Sequence, residues 1–198
     1  MLIKEVMSTS VITVRASTTV KQALAILDKE AITAVPVVGS HRRIVGIMSE
    51  ADLIRDAVQH DVRRHLSHAL EELTVLPPHE VGEVMSRHAL TVHPDADLVD
   101  AVELMTSTGV KSLPVVDDRD QVVGMISRRD IVRVLARPDE ALEAEADDLF
   151  RHLGFEWLVD VRDGVATVSG PSARNAATVA SMVASAVPGI VGVTVDDD

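Results

Sequence analysis

A stretch of the chain occurs twice, in register and without a gap. Glu5-Val6-Met7-Ser8 returns as Glu83-Val84-Met85-Ser86, Thr13-Val14 as Thr91-Val92, and Pro36-Val37-Val38 as Pro114-Val115-Val116. Val45-Gly46 with Ser49 and Asp52 returns as Val123-Gly124 with Ser127 and Asp130, and every pair lies 78 positions apart. A duplication of this length constrains the fold more than composition does, because both copies must form the same supersecondary unit.

Each copy predicts the order β-α-β-β-α. An extended piece (Val11 to Val14; Ala89 to Val92) leads through a polar turn into an amphipathic helix. The first helix runs from Thr19 to Lys29 with Val20, Ala23, Leu24 and Leu27 at helical spacing, and its equivalent from Asp97 to Thr108. Two β-branched segments follow, Ala34 to Val38 and Ile44 to Met48, repeated as Ser112 to Val116 and Val122 to Ile126. A second helix opens at Ser49 or Ser127. The leading Val-Met-Ser, the segment closing on Pro-Val-Val, and Val-Gly-apolar-apolar-Ser-x-x-Asp resemble the CBS domain, which occurs in tandem as a Bateman pair. The resemblance places one CBS domain at 1–59 and a second at 80–137, joined by a linker or helix extension at 60–79.

Ser49-x-x-Asp52 and Ser127-x-x-Asp130 have two chemical readings. Serine at a helix N-cap with an acid three residues on is a capping box, satisfying orphan backbone amides. The same arrangement lets an aspartate accept hydrogen bonds from a ribose diol, with serine and helix-start amides facing phosphate. In CBS pairs this aspartate typically holds the ribose of an adenosine ligand, so the resemblance implies Asp52 and Asp130 as ligand residues, with Ser49 and Ser127 beside them. It further implies pocket positions at Thr18, Thr33 and Ala34 in the first copy and at Ala96, Lys111 and Ser112 in the second; pocket walls often combine both repeats, so which set serves which aspartate stays open. The side chains of Val35, Pro36, Leu113 and Pro114 read as core and turn packing.

The copies differ in charge after the serine. The first reads Ser49-Glu50-Ala51-Asp52; the second reads Ser127-Arg128-Arg129-Asp130, with Lys111 also nearby. A charge-assisted hydrogen bond contributes roughly 1.5–3 kcal/mol. The Asp130 copy is therefore expected to hold an adenine nucleotide better than the Asp52 copy.

Beyond Arg137-Pro138 the character changes. Residues 139–198 carry twelve acids and three bases, a net of −9 out of the chain's −12. Asp139 to Leu153 reads as an acidic helix with Leu142, Ala146, Leu149 and Leu153 on one face. A strand from Glu156 to Val161, an Asp163-Gly164 hairpin turn and a strand from Val165 to Gly170 follow. A helix from Ser172 to Val187, Pro188-Gly189 and a strand from Ile190 to Val195 complete an α-β-β-α-β order. The Asp-Gly hairpin, the strand ending Ser-Gly and the Pro-Gly before the last strand resemble a BON domain at 139–198. Some BON domains associate with phospholipid; the −9 here repels an anionic surface and argues against membrane-surface binding.

The remaining classes are narrowed by exclusion. A net −12 with 2% aromatics opposes nucleic-acid binding, which needs cations for phosphates and aromatic faces for bases. Cysteine is absent, which removes disulfides and thiolate chemistry. The uncharged run Asn175 to Val195 is long enough to span a bilayer, but Pro188-Gly189 interrupts it, so no transmembrane span is expected. His60, His65 and His68 lack the spacing of a metal motif, and no metal site or catalytic group is expected. The fold class is thus α/β (α+β): tandem CBS repeats plus a small BON-like domain. The expected function is a cytoplasmic, non-catalytic regulatory module with no required cofactor. It would sense AMP, ADP, ATP, NAD or S-adenosylmethionine, and relay occupancy through a homodimer or domain rearrangement, with a protein partner as a further candidate. The alternative is a protein-interaction adaptor acting through the BON-like domain without small-molecule sensing.

Overall fold

The computed structural model describes residues 1–52, 78–170 and 175–196. The histidines at 60, 65 and 68, most of the 60–79 linker and the expected start of the last helix at Ser172 lie outside them. The repeats run α1 (Ile3–Val6), α2 (Val20–Glu30), β1 (Ala34–Val38) and β2 (Ile44–Ser49), then α3 (Val81–Val84), α4 (Leu98–Thr108), β3 (Ser112–Val116), β4 (Val122–Ser127) and α5 (Arg128–Leu135). The C-terminal part runs α6 (Asp139–His152), β5 (Leu158–Arg162), β6 (Val165–Ser169), α7 (Ala176–Ser185) and β7 (Gly192–Asp196). By contact the chain forms two compact units that cut across the repeats. One holds Ser8–Pro94 and Leu104–Met125; the other holds Met1–Met7, Asp95–Glu103 and Ile126–Asp198.

In the first unit, Thr19 caps α2: its hydroxyl accepts the Gln22 N–H while the Gln22 side chain accepts the Thr19 N–H, both at 3.2 Å. The chain leaves α2 through Ala31 in the left-handed region (φ 51°). β1 then pairs antiparallel with β2, with Val35 opposite Met48 and Val37 opposite Gly46. Val14, Ala23, Leu27, Val35, Val37, Met48 and Val81 form a buried cluster, and Val38, Val116 and Val122 form another. Apolar burial of this kind contributes about 25 cal/mol per Å².

The extended lead-ins are shorter than the sequence suggests. Val14 makes one parallel bridge to Val37, and Val92 one to Val115, instead of strands over 11–14 and 89–92. Each lead-in runs at once into a turn; in the first copy the Arg15 N–H donates to Thr18 Oγ1 at 3.1 Å. Two short helices, α1 and α3, were not expected. α3 is held by the first copy's turn, with Val81 N–H donating to Thr18 O at 2.9 Å and Gly82 N–H to Ala16 O at 2.8 Å. Ser86, next in line, exchanges backbone hydrogen bonds with Ile47 of β2 at 2.9 and 3.0 Å, and Ser8 does the same with Met125 of β4 at 2.9 Å. A Cβ on Gly46 would lie 2.7 Å from the Ser86 carbonyl oxygen, which explains a glycine in the repeated Val-Gly.

In the second unit α1 is tied in the corresponding way: Ile3 N–H donates to Ala96 O at 3.0 Å and Leu98 N–H to Met1 O at 2.9 Å. The C-terminal part adopts the expected α-β-β-α-β order. β6 is the central strand, antiparallel to β5 and parallel to β7, the crossover being made by α7. Asp163 and Gly164 both have positive φ (51° and 76°), the backbone a two-residue hairpin needs. Asp139, at the start of α6, accepts both turn amides, at 2.7 and 2.9 Å.

The apolar face of α6 differs from expectation. Leu142, Ala146 and Phe150 are buried and Leu149 packs against them, whereas Leu153 is 53% exposed. The helix ends at His152, and Gly154 (φ 82°) then turns the chain, so Leu153 leaves the stripe. Trp157 stacks on Phe155 and meets Phe150 edge-on. This part packs at the end of α5: Arg137, two residues past the helix, donates to the Pro188 carbonyl and to Glu145, and a Cβ on Gly189 would come within 2.9 Å of Val134 O.

Candidate functional site

Both Ser-x-x-Asp motifs form the capping box. Where β2 ends, Ser49 Oγ and N–H donate to Asp52 Oδ2 at 2.7 and 2.9 Å, and Asp52 N–H faces Ser49 Oγ at 3.4 Å. Where β4 ends, Ser127 repeats the pattern on Asp130 at 2.6, 2.9 and 3.3 Å. A carboxylate offers about four acceptor positions. Holding one oxygen on the serine therefore orients the group and leaves acceptor capacity on the other. Asp130 is 6% exposed and its Oδ1 receives Arg133 at 3.1 Å. Asp52 is half-buried, and among the described residues no side chain donates to its Oδ1.

Around Asp52 the fold gathers residues from both copies. Ala34 opens β1 directly opposite Ser49. The Thr33 carbonyl accepts the Glu50 N–H at 2.9 Å, which draws the loop before β1 onto the first turn after Ser49. Lys111 ion-pairs with Glu50. The sequence leaves open which aspartate each set of residues serves; in the fold the Lys111 ammonium lies on the acid of the first motif. The fold carries the residue before β3 to the end of β2, across 61 positions of sequence.

Thr18 belongs to a different network, its hydroxyl accepting from Arg15 and its carbonyl from Val81. Ala96, its counterpart, offers its carbonyl to Ile3. Ser112 is buried at the start of β3, while Arg128 and Arg129 are exposed on the first turn of α5. Sequence reasoning passed over Arg133. Its i,i+3 spacing from Asp130 was the available signal.

A groove of about 520 Å³ in the second unit is lined by Glu5, Glu145, Asp148, Leu149, His152 and Ala186–Pro188, none of them from a Ser-x-x-Asp motif. Glu145 there is held by Arg137 and Asp148 by Arg151. Among the described residues no cluster of histidines and acids is placed to hold a metal ion, and no helix is long and apolar enough to cross a membrane.

Comparison with known proteins places these motifs. The family model described as the CBS domain matches residues 3–58 and 81–137. A CBS domain-containing protein of Dictyostelium discoideum is 30% identical over 136 residues, 69% of this chain and 92% of that one. Among solved structures, the CBS domain pair of protein MJ0100 in complex with 5′-methylthioadenosine and S-adenosyl-L-methionine matches with TM-score 0.55 and 26% identity, covering 68% of this chain and 94% of that one. CBSX2 in complex with AMP matches with TM-score 0.56 and 26% identity, over 73% and 98% of the two chains.

Proposed function

This chain belongs to the CBS domain family, and from that premise we propose that its paired repeats are a non-catalytic regulatory module for adenosine-containing ligands. Candidate ligands are AMP, ADP or ATP, with S-adenosylmethionine and NAD as other adenosyl compounds. The observation that carries the reading is the repeated carboxylate. Asp52 and Asp130 are each oriented through one oxygen by a serine, which leaves acceptor capacity suited to a ribose diol. Relatives of this fold held in complex with AMP and with S-adenosylmethionine support the ligand class.

In this reading Ser49, Thr33 and Ala34 flank the first ribose site, with Thr18 ordering the turn behind it. Ser127, Arg128 and Arg129 serve the second, where the two arginines favour a phosphate-bearing ligand. The pair works as a cytoplasmic homodimer through its helices. The C-terminal module is BON-like and receives the signal or a protein partner. Its attachment through Arg137, just past α5, and the close approach of Gly189 to Val134 support that role, because Ser127 caps α5 and Asp130 lies in its first turn.

A thermal-shift screen on ligand-free protein tests the proposal. A ligand that binds only the native state raises the midpoint by mass action, so a shift with at least one adenosyl compound is expected. No shift with millimolar AMP, ATP, NAD or S-adenosylmethionine overturns it and favours the adaptor.

A further inference from the structure

Building on the adenosyl-binding reading, we infer that the Glu50–Lys111 ion pair is a charge filter. It makes the Asp52 motif select adenosyl compounds that lack a phosphate, neutral or cationic at the 5′ position, over nucleotides.

Glu50 is a well-positioned acid. It follows the serine that orients Asp52, and its N–H is anchored on Thr33 O at 2.9 Å. Its carboxylate holds the ammonium of Lys111, which is the cation that a phosphate at this end of β2 would otherwise recruit. A nucleotide whose ribose lies on Asp52 brings a dianion towards Asp52 and Glu50 while the lysine is already neutralised. A thioether avoids that repulsion, and a sulfonium is attracted by the same carboxylate. At the equivalent position of the second copy stands Arg128, of opposite sign.

The lysine and glutamate side chains are 62% and 40% exposed, so solvent screens the pair and the filter is graded. A selectivity of roughly tenfold is in keeping with one rearranged charge contact.

The test is calorimetry on the full chain in an Asp130→Asn background, with AMP and 5′-methylthioadenosine as probes. With Glu50 in place, 5′-methylthioadenosine is expected to bind about tenfold more tightly than AMP. Glu50→Gln is expected to improve AMP by roughly fivefold to tenfold, leaving 5′-methylthioadenosine within about twofold. Adding Lys111→Met to Glu50→Gln should remove that gain, because the released ammonium is what receives the phosphate. If Glu50→Gln does not fold, Lys111→Met alone should weaken AMP relative to 5′-methylthioadenosine by about fivefold. An AMP to 5′-methylthioadenosine ratio that these substitutions leave unchanged overturns the filter while the adenosyl reading stands. Failure of the unsubstituted chain to bind either probe overturns the adenosyl reading, and the filter with it.

Discussion

At the end of β4 the Ser127 hydroxyl reaches Asp130 at 2.6 Å, and at the end of β2 the Ser49 hydroxyl reaches Asp52 at 2.7 Å. The two caps superimpose in chemistry, but their surroundings do not. Asp130 is nearly buried and shared with Arg133, with arginines at the first two helical positions. Asp52 is half-buried beside an acid that has taken a lysine from the other copy. A backbone requirement, orphan amides at a strand-to-helix junction, is met identically in both copies. Charge at the neighbouring surface positions is under no such requirement, and that is where the copies diverge.

The comparison can be broken by substitution, and the largest effect is expected at Asp130. Asp130→Ala removes a buried acceptor from Ser127 and the partner of Arg133, so a loss of about 2 kcal/mol is expected by urea unfolding, with nucleotide binding falling at least tenfold by calorimetry. Asp52→Ala should cost about 1 kcal/mol, and nucleotide affinity should change less. A larger loss of nucleotide binding from Asp52→Ala inverts the assignment. Ser127→Ala and Ser49→Ala sharpen the likeness: each should cost about 1 kcal/mol, and unequal losses mean that the caps differ after all.

The smallest effect concerns the turns between paired strands. Asp117 accepts the Arg119 and Gln121 amides at 2.9 and 2.8 Å, where the first copy has Gly39. The Gln121 N–H holds the Asp117 carboxyl below its usual value, outweighing the opposing effect of desolvation; Arg119 adds to the lowering. A lowered native pKa gives stability that is present above the ordinary carboxylate value and lost as pH falls through the native one. Asp117→Ala should therefore reduce the thermal midpoint slightly at neutral pH and not at all well below that range. An equal reduction at both pH values means that the carboxylate charge contributes nothing.

Much of the local structure was readable because it depends on local pattern. β1 and β3 appear with the expected boundaries, since β-branched runs between polar turns leave few alternatives. The Asp163-Gly164 hairpin was equally legible, as positive φ at consecutive positions suits that dipeptide. α1 and α3 were not legible. Four residues are too few to show a helical period, and their amides are secured by distant carbonyls at Ala96 and Thr18. Leu153 was misread because the helical spacing continued past the point where Gly154 turns the chain.

The sequence by itself determined the duplication, the strand and helix types, the two capped aspartates and the α-β-β-α-β order of the acidic C-terminal part. Each of these follows from periodicity, turn chemistry or short-range hydrogen bonding. Only the tertiary structure decided that Lys111 meets Glu50, that a buried Asp130 pairs with an exposed Arg133, and that Arg137 and Gly189 fasten the C-terminal part at the end of α5. Surface charges carry no periodic signature, and partners tens of residues apart are chosen by how the elements pack.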